Sequence, residues 1–205
     1  MKKKQKIAAV LDFLFMLLLG LIMVFPLFWM ARSSLMTQSE IFRKPMQWLP
    51  KIAQWKNYAD IMTMRPFARW MCNSAFIVFF NVIGTMLTSS MAAFAFAKLK
   101  IPKADLLLKV FLATMMIPTQ VTIIPLFVVM NKMSLINSYA SVILPSIFRP
   151  FAVFLLVQQM RTIPNDYLDA ASIDGASTFI VYFKVALPLC APTLATLSIT
   201  TFMES

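Results

Sequence analysis

The chain has no histidine, two cysteines and three glycines among 205 residues, and only 13% of its residues are charged. Each shortage excludes something. Histidine is the commonest general base and metal ligand near neutral pH, so metal-centred or histidine-driven catalysis has little to build on. Cys72 and Cys190 form no CxxC pair and no metal-ligand spacing. A phosphate-cradling loop needs the spacing GxxxxGK[S/T], and Gly20, Gly84 and Gly175 are too far apart to supply it. The charged fraction is about half the roughly 25% usual in soluble domains.

What is present is grease. Hydrophobic residues make up 60% of the chain and the mean hydropathy is +0.77, values of an integral membrane protein. The twelve prolines fall largely in or beside apolar runs, so they do not mark a disordered segment. The net charge of +11 comes from bases flanking apolar segments. They form no stripe interleaved with aromatics, which excludes a nucleic-acid surface and fits membrane flanks.

The apolar runs predict an all-α polytopic helix bundle, a single transmembrane domain over 1–205. The expected spans are 7–31, 71–97, 106–130 and 139–160, with an incomplete fifth at 189–205. The first run has 25 residues and ends in "LFWMARSS". It is too long for the apolar core of a signal peptide, about 7–15 residues, and reads as an uncleaved span. Asp12 lies near its lysine end, within reach of interfacial water or Lys6. The second span is rich in Ala, Ser, Thr and Gly, which lets helices approach closely. Pro118 and Pro125 in the third are seven apart, on one helix face, and would free backbone carbonyls that need protein or a wet cavity. Gln120 lies between them, a candidate pathway residue. Arg149, flanked by Pro145 and Pro150 near the centre of the fourth span, is the other. It could pair with freed carbonyls or a partner, or meet substrate hydroxyls. The last apolar stretch has 15 residues, short of the roughly 20 that a span requires, so the fifth span reads as cut off.

Orientation rests on Lys and Arg. The N-terminus, 98–109 and 161–187 together carry ten, and 32–70 with 131–136 carry eight. With "KKKQK" beside the first helix, this favours a cytoplasmic N-terminus. Cys72 and Cys190 then lie near opposite faces, and no disulfide is expected between them.

The segment "LDAASIDGASTFIVYFKVALPL", Leu168 to Leu189, has a different composition. Pro164 suits a helix start and Asp166 its positive end. Ala170 and Ala171 leave a flat surface, Asp174–Gly175 is a turn, Ser177 caps a second helix, and Pro188 should end it. A helix–turn–helix in the loop 161–187 follows, suited to docking in a groove of another protein. The other reading is an amphipathic loop lying on the bilayer, but such loops are basic on their polar face, whereas this one is acidic in its first half.

This stretch resembles the EAA loop of integral membrane permease subunits of ABC importers, through Asp169, Ala170, Ala171, Asp174, Gly175, Ala176, Leu187 and Pro188. "NSAFIV", "AAFAFAKLKIPKADLL", "MMIPTQVTIIPLF" and "ILPSIFRPFAVFLL" are similar to the carbohydrate-uptake branch, the maltose-type second permease subunit, over nearly the whole chain. Two departures stand out. The leading glutamate of the pattern is Asp169 here, and the family continues beyond "TTFMES" with the rest of the fifth helix and a sixth, so the resemblance too implies a C-terminally truncated chain. The resemblance implies half of a heterodimeric sugar pathway in a bacterial or archaeal plasma membrane. Its implied partners are a second permease subunit, two ATP-binding cassette ATPases docked on the EAA loops, an extracytoplasmic sugar-binding protein, and lipid. It implies no cofactor on this chain, with ATP bound by the ATPase, and no enzyme activity of its own. Two other readings are a fragment without transport of its own and a membrane-embedded enzyme. The enzyme would need an intramembrane nucleophile, base or metal set that Asp12, Arg149 and scattered Ser, Thr and Asn do not make.

Overall fold

The computed structural model describes residues 2–64 and 66–205, and among them every regular element is helical. Residues 1–70 and 71–205 form two compact units.

In the first unit, α1 (Lys2–Ser34) contains a candidate span, Val10–Ser34, of mean hydropathy 2.6. Its large apolar side chains are exposed all round, from Val10 to Phe28, as a helix solvated by lipid requires. Asp12 is exposed, and no ion pair joins it to Lys6 among the described residues. At the other end Arg32 is buried. Its guanidinium donates to the carbonyls of Gln47 and Trp48 and stacks over Trp29. Asn57 donates to the carbonyls of Ser34 and Met36, so two side chains fold the polar segment back onto the end of α1. That segment holds α2 (Gln38–Ile41) and α3 (Lys56–Met64). Thr37 and Glu40 make a capping box on α2. The Thr37 N–H that Glu40 accepts holds its carboxyl below the ordinary value.

Helix α4 (Phe67–Lys98), which from Met71 onward belongs to the second unit, is a continuous candidate span of 32 residues. Its buried Asn81, Thr85, Ser89 and Ala93 recur every fourth residue, one face of small side chains. Helix α5 (Ala104–Ala113) runs into a 3-10 turn, Thr114–Met116, and then α6 (Thr119–Lys132). The 3-10 turn and α6 meet at a 99° bend. The third span expected over 106–130 is thus a bent pair of helices that together pass as one broken span, and Pro118 and Pro125 do not share one helix face. Pro118 is the N-cap of α6 in extended backbone, and only Pro125 lies within the helix. Proline pushes its predecessor out of the helical region, and Ile117 is extended at φ −82°, ψ 117°.

Helices α7 (Tyr139–Ser146) and α8 (Pro150–Thr162) are separated by a three-residue joint, yet together make one candidate span of 24 residues. The inner face of α8, with Ala152, Leu156 and Met160 beside Val153 and Val157, is the centre of the buried core. After α9 (Asn165–Ile173) come α10 (Thr178–Val181), a π turn Tyr182–Ala186, α11 (Leu187–Leu189) and α12 (Ala191–Glu204). Segments Thr178–Leu189 and Ala191–Glu204 pass as one broken span with a 77° bend. One expectation is corrected here: Pro188 does not end the helix, which continues to Leu189. Pro188 removes the donor that would meet the Lys184 carbonyl. The preceding π turn shifts the register, with the Leu187 N–H reaching Tyr182. Pro188 then stands in the first turn of α11, where no donor is needed. The break comes at Cys190, which is buried.

Candidate functional site

The module that the sequence singles out is α9 and the turn after it. Helix α9 starts behind Pro164 and carries Asp166 in its first turn. Successive residues rotate by about 100°, so Leu168 and Ala171 face the core while Asp169, Ala170 and Ile173 face out. The expected flat pair is thus divided: Ala170 is outward and Ala171 packs inward.

The turn is a complete Schellman motif. Gly175 has φ +80°. Its N–H donates to the Ser172 carbonyl, and the Ala176 N–H donates five residues back to the Ala171 carbonyl. Ala171 and Ala176 also both pack on the core, the apolar contact that accompanies such a cap. This gives four of the matched residues a physical reason. Ala171 and Ala176 are the small inward pair, Gly175 is the left-handed residue, and Asp174 ends the helix at the exposed tip. Nothing lies within 4 Å of where a Gly175 side chain would begin, so the need for glycine is conformational. The Ser177 hydroxyl then accepts the Ile180 N–H.

The outward surface presents Asp169, Ala170, Asp174 and an unforeseen residue, Ile173, which is 86% exposed. An isoleucine in an apolar chain draws no notice in the sequence. Its place directly before Asp-Gly was the available signal. Pro188 lies outside this surface, on α11.

The intramembrane candidates are not brought together. Arg149 is the N-cap of α8, in the α7–α8 joint. Its Nε donates to the Ser146 carbonyl at 3.1 Å, a carbonyl freed by the break, and its guanidinium pairs with Glu204 at the end of α12. The Ser146 hydroxyl donates to buried Asn81 at 2.6 Å, and Asn81 donates to Ser205 at 3.3 Å. Gln120 is exposed on α6, near only the Thr119 hydroxyl. Glu204 escaped sequence reasoning because it is 55 residues from Arg149.

Three candidate spans and two bent helix pairs that each pass as a broken span, with an acidic helix–turn module between the fourth and fifth, define a polytopic helical membrane subunit. The chain belongs to the family of binding-protein-dependent transport system inner membrane components, whose model matches residues 82–205. It is 33% identical over 184 residues to the sulfoquinovosyl glycerol transport system permease protein SmoH of Agrobacterium fabrum, covering 89% of this chain and 65% of that one. It is 32% identical over 202 residues to the arabinooligosaccharides transport system permease protein AraQ of Halalkalibacterium halodurans, covering 96% and 72%. The chain thus spans about two thirds of the length of these relatives. Its fold matches a chain of a bacterial ABC transporter involved in the import of the acidic polysaccharide alginate, with a TM-score of 0.87 at 19% identity over 98% of this chain and 71% of that one.

Proposed function

We propose that this chain is a membrane-spanning permease subunit of an ATP-driven importer for a sugar or oligosaccharide, and that the 164–177 module docks a cytoplasmic ATPase. The observation that carries the reading is the Schellman-closed turn, which holds Asp169, Ala170, Ile173 and Asp174 outward on a short rigid helix. The sugar class is supported by the relatives, which are named for sulfoquinovosyl glycerol and for arabinooligosaccharides. The subunit pairs with a second permease chain, receives substrate from an extracytoplasmic binding protein, and leaves ATP hydrolysis to the docked ATPase. Its N-terminus and Asp169 are cytoplasmic, and Trp48 is on the opposite side.

Gly175→Val tests the docking. A non-glycine residue in the left-handed region costs about 1–2 kcal/mol, a factor of roughly 5–30 in the population of the turn, and β-branching worsens it. In an intact transporter containing this sequence, the variant should insert normally but recover far less ATPase subunit on purification and lose transport. Gly175→Asn should keep more of both, since asparagine tolerates this conformation. Undiminished ATPase recovery and transport in the valine variant refute the docking role.

A further inference from the structure

The module and the π turn that follows it are both held by one helix that is remote from them in sequence. Lys98 is the last residue of α4. Its ammonium donates to the Ile163 carbonyl at 2.6 Å and to Asn165 Oδ1 at 2.8 Å. Ile163 is the C-cap of α8 and Asn165 opens α9. The Ile163 carbonyl is one of those that a helix end leaves without a partner, and the chain continues into Pro164, which has no N–H. Lys98 therefore bonds both sides of the α8–α9 joint, one of the two connections through which motion of α9 passes. At the far end, the Tyr182 hydroxyl bonds the Ser90 hydroxyl at 2.6 Å, both buried, and the Tyr182 ring packs on Phe94. Ser90 and Lys98 are eight residues apart, about 12 Å along α4. The other ion pair near the module, Arg161 with Asp105, is largely exposed, and such pairs restrain little.

We infer that Lys98 is a positioning residue that makes α9 move with α4, so that displacement of the docked module reaches the membrane through α4 and not only through the helices that flank the loop in sequence. This rests on the docking reading for its purpose, but the rigidity it requires is a property of this chain alone. An open polar cavity of about 300 Å³ lies along the flank of the module, lined by Lys98, Asn165, Ser172 and the exposed Asp169 among others. Without the tether, that space leaves α9 room to tilt against α4.

The first measurement uses the full chain in lipid nanodiscs, with Cys72→Ser and Cys190→Ala, and spin labels on Met91→Cys of α4 and Ile173→Cys of α9, both exposed positions. The inter-label distance should be narrowly distributed. Lys98→Met should broaden it, and Lys98→Arg, which keeps donors at that reach, should restore it. Asn165→Ala, at an exposed position, removes half of the tether without altering α4 and should broaden it as well, which covers the case of a Lys98→Met chain that fails to insert. In an intact transporter containing this sequence, Lys98→Met should keep ATPase recovery while sugar moved per ATP hydrolysed falls tenfold or more. An unchanged distance distribution in Lys98→Met and Asn165→Ala overturns the inference, as does unchanged transport per ATP. Loss of ATPase recovery in Lys98→Met also overturns it, since Lys98 would then serve only to fold the docking surface. If the unmodified complex binds no ATPase through this module, the docking reading fails while the distance result still stands.

Discussion

At Arg149, a cation near the middle of an apolar span meets two partners of different kinds. Such a charge costs at least about 2.5–3.5 kcal/mol on insertion scales. The Ser146 carbonyl offsets part of that and Glu204 offsets more. The side chains are unequally shielded, 23% exposed for Arg149 and 65% for Glu204. Glu204→Gln, which strands the more buried cation, should therefore destabilise more than Arg149→Leu, and the double variant should recover part of the loss. A double-mutant cycle on thermal unfolding in detergent should give a coupling of about 0.5–3 kcal/mol. Strict additivity would show that the pair contributes nothing. The proline-flanked arginine was visible in the sequence, with a carbonyl freed by proline among its candidate partners. Its acid was not, because Glu204 reads as the polar end of the last apolar run until the fold brings α12 beside the α7–α8 joint.

Among the elements, the apolar runs were legible because a lipid-facing helix must be apolar along its whole length. The bends were not, because hydropathy carries no angle. Pro118, Pro125, Pro145, Pro150 and Pro188 share one chemistry and have different outcomes. Pro125 and Pro145 sit inside helices, Pro150 and Pro188 in first turns, and Pro118 at a 99° bend. A proline announces a lost donor, and neighbouring helices decide where the chain goes next. The packing of α4 on the α7–α8 joint depends on such a neighbour. A Cβ on Gly84 would lie 2.5 Å from Ile147 Cγ2 and 3.2 Å from its Cβ. Rotation about χ1 would move that methyl but not the Cβ, and Thr88 fixes the same residue by donating to the Ile147 carbonyl at 2.7 Å. Gly84→Ala should lower stability by about 1–3 kcal/mol through overpacking. Gly20→Ala, with nothing within 4 Å, should be neutral or gain up to about 1 kcal/mol in helix propensity. Comparable thermal midpoints for the two variants would contradict the close approach at Gly84.

For the whole molecule, the proposed orientation has a direct check. With Cys72 and Cys190 replaced, Trp48→Cys and Asp169→Cys should react with an impermeant maleimide from opposite sides of right-side-out and inverted vesicles; labelling of both from one side rejects the topology. The helix–turn–helix was legible because its signals are local: a helix start, small residues, Asp-Gly and a cap lie within fourteen residues. The anchors of that module were not, since Lys98 bonds residues 65 and 67 positions away and Ser90 bonds one 92 away, and nothing in a linear pattern pairs them. The Arg149–Glu204 pair also has an electrical consequence. A lone charge carried across the full membrane field changes energy by about 2.3 kcal/mol per 100 mV. Two opposite charges held together amount to a small dipole with no net charge. If the α7–α8 joint and the end of α12 travel as one piece along the membrane normal, the membrane potential does almost no work on them, so this part of the subunit can shift without the voltage favouring either of its positions.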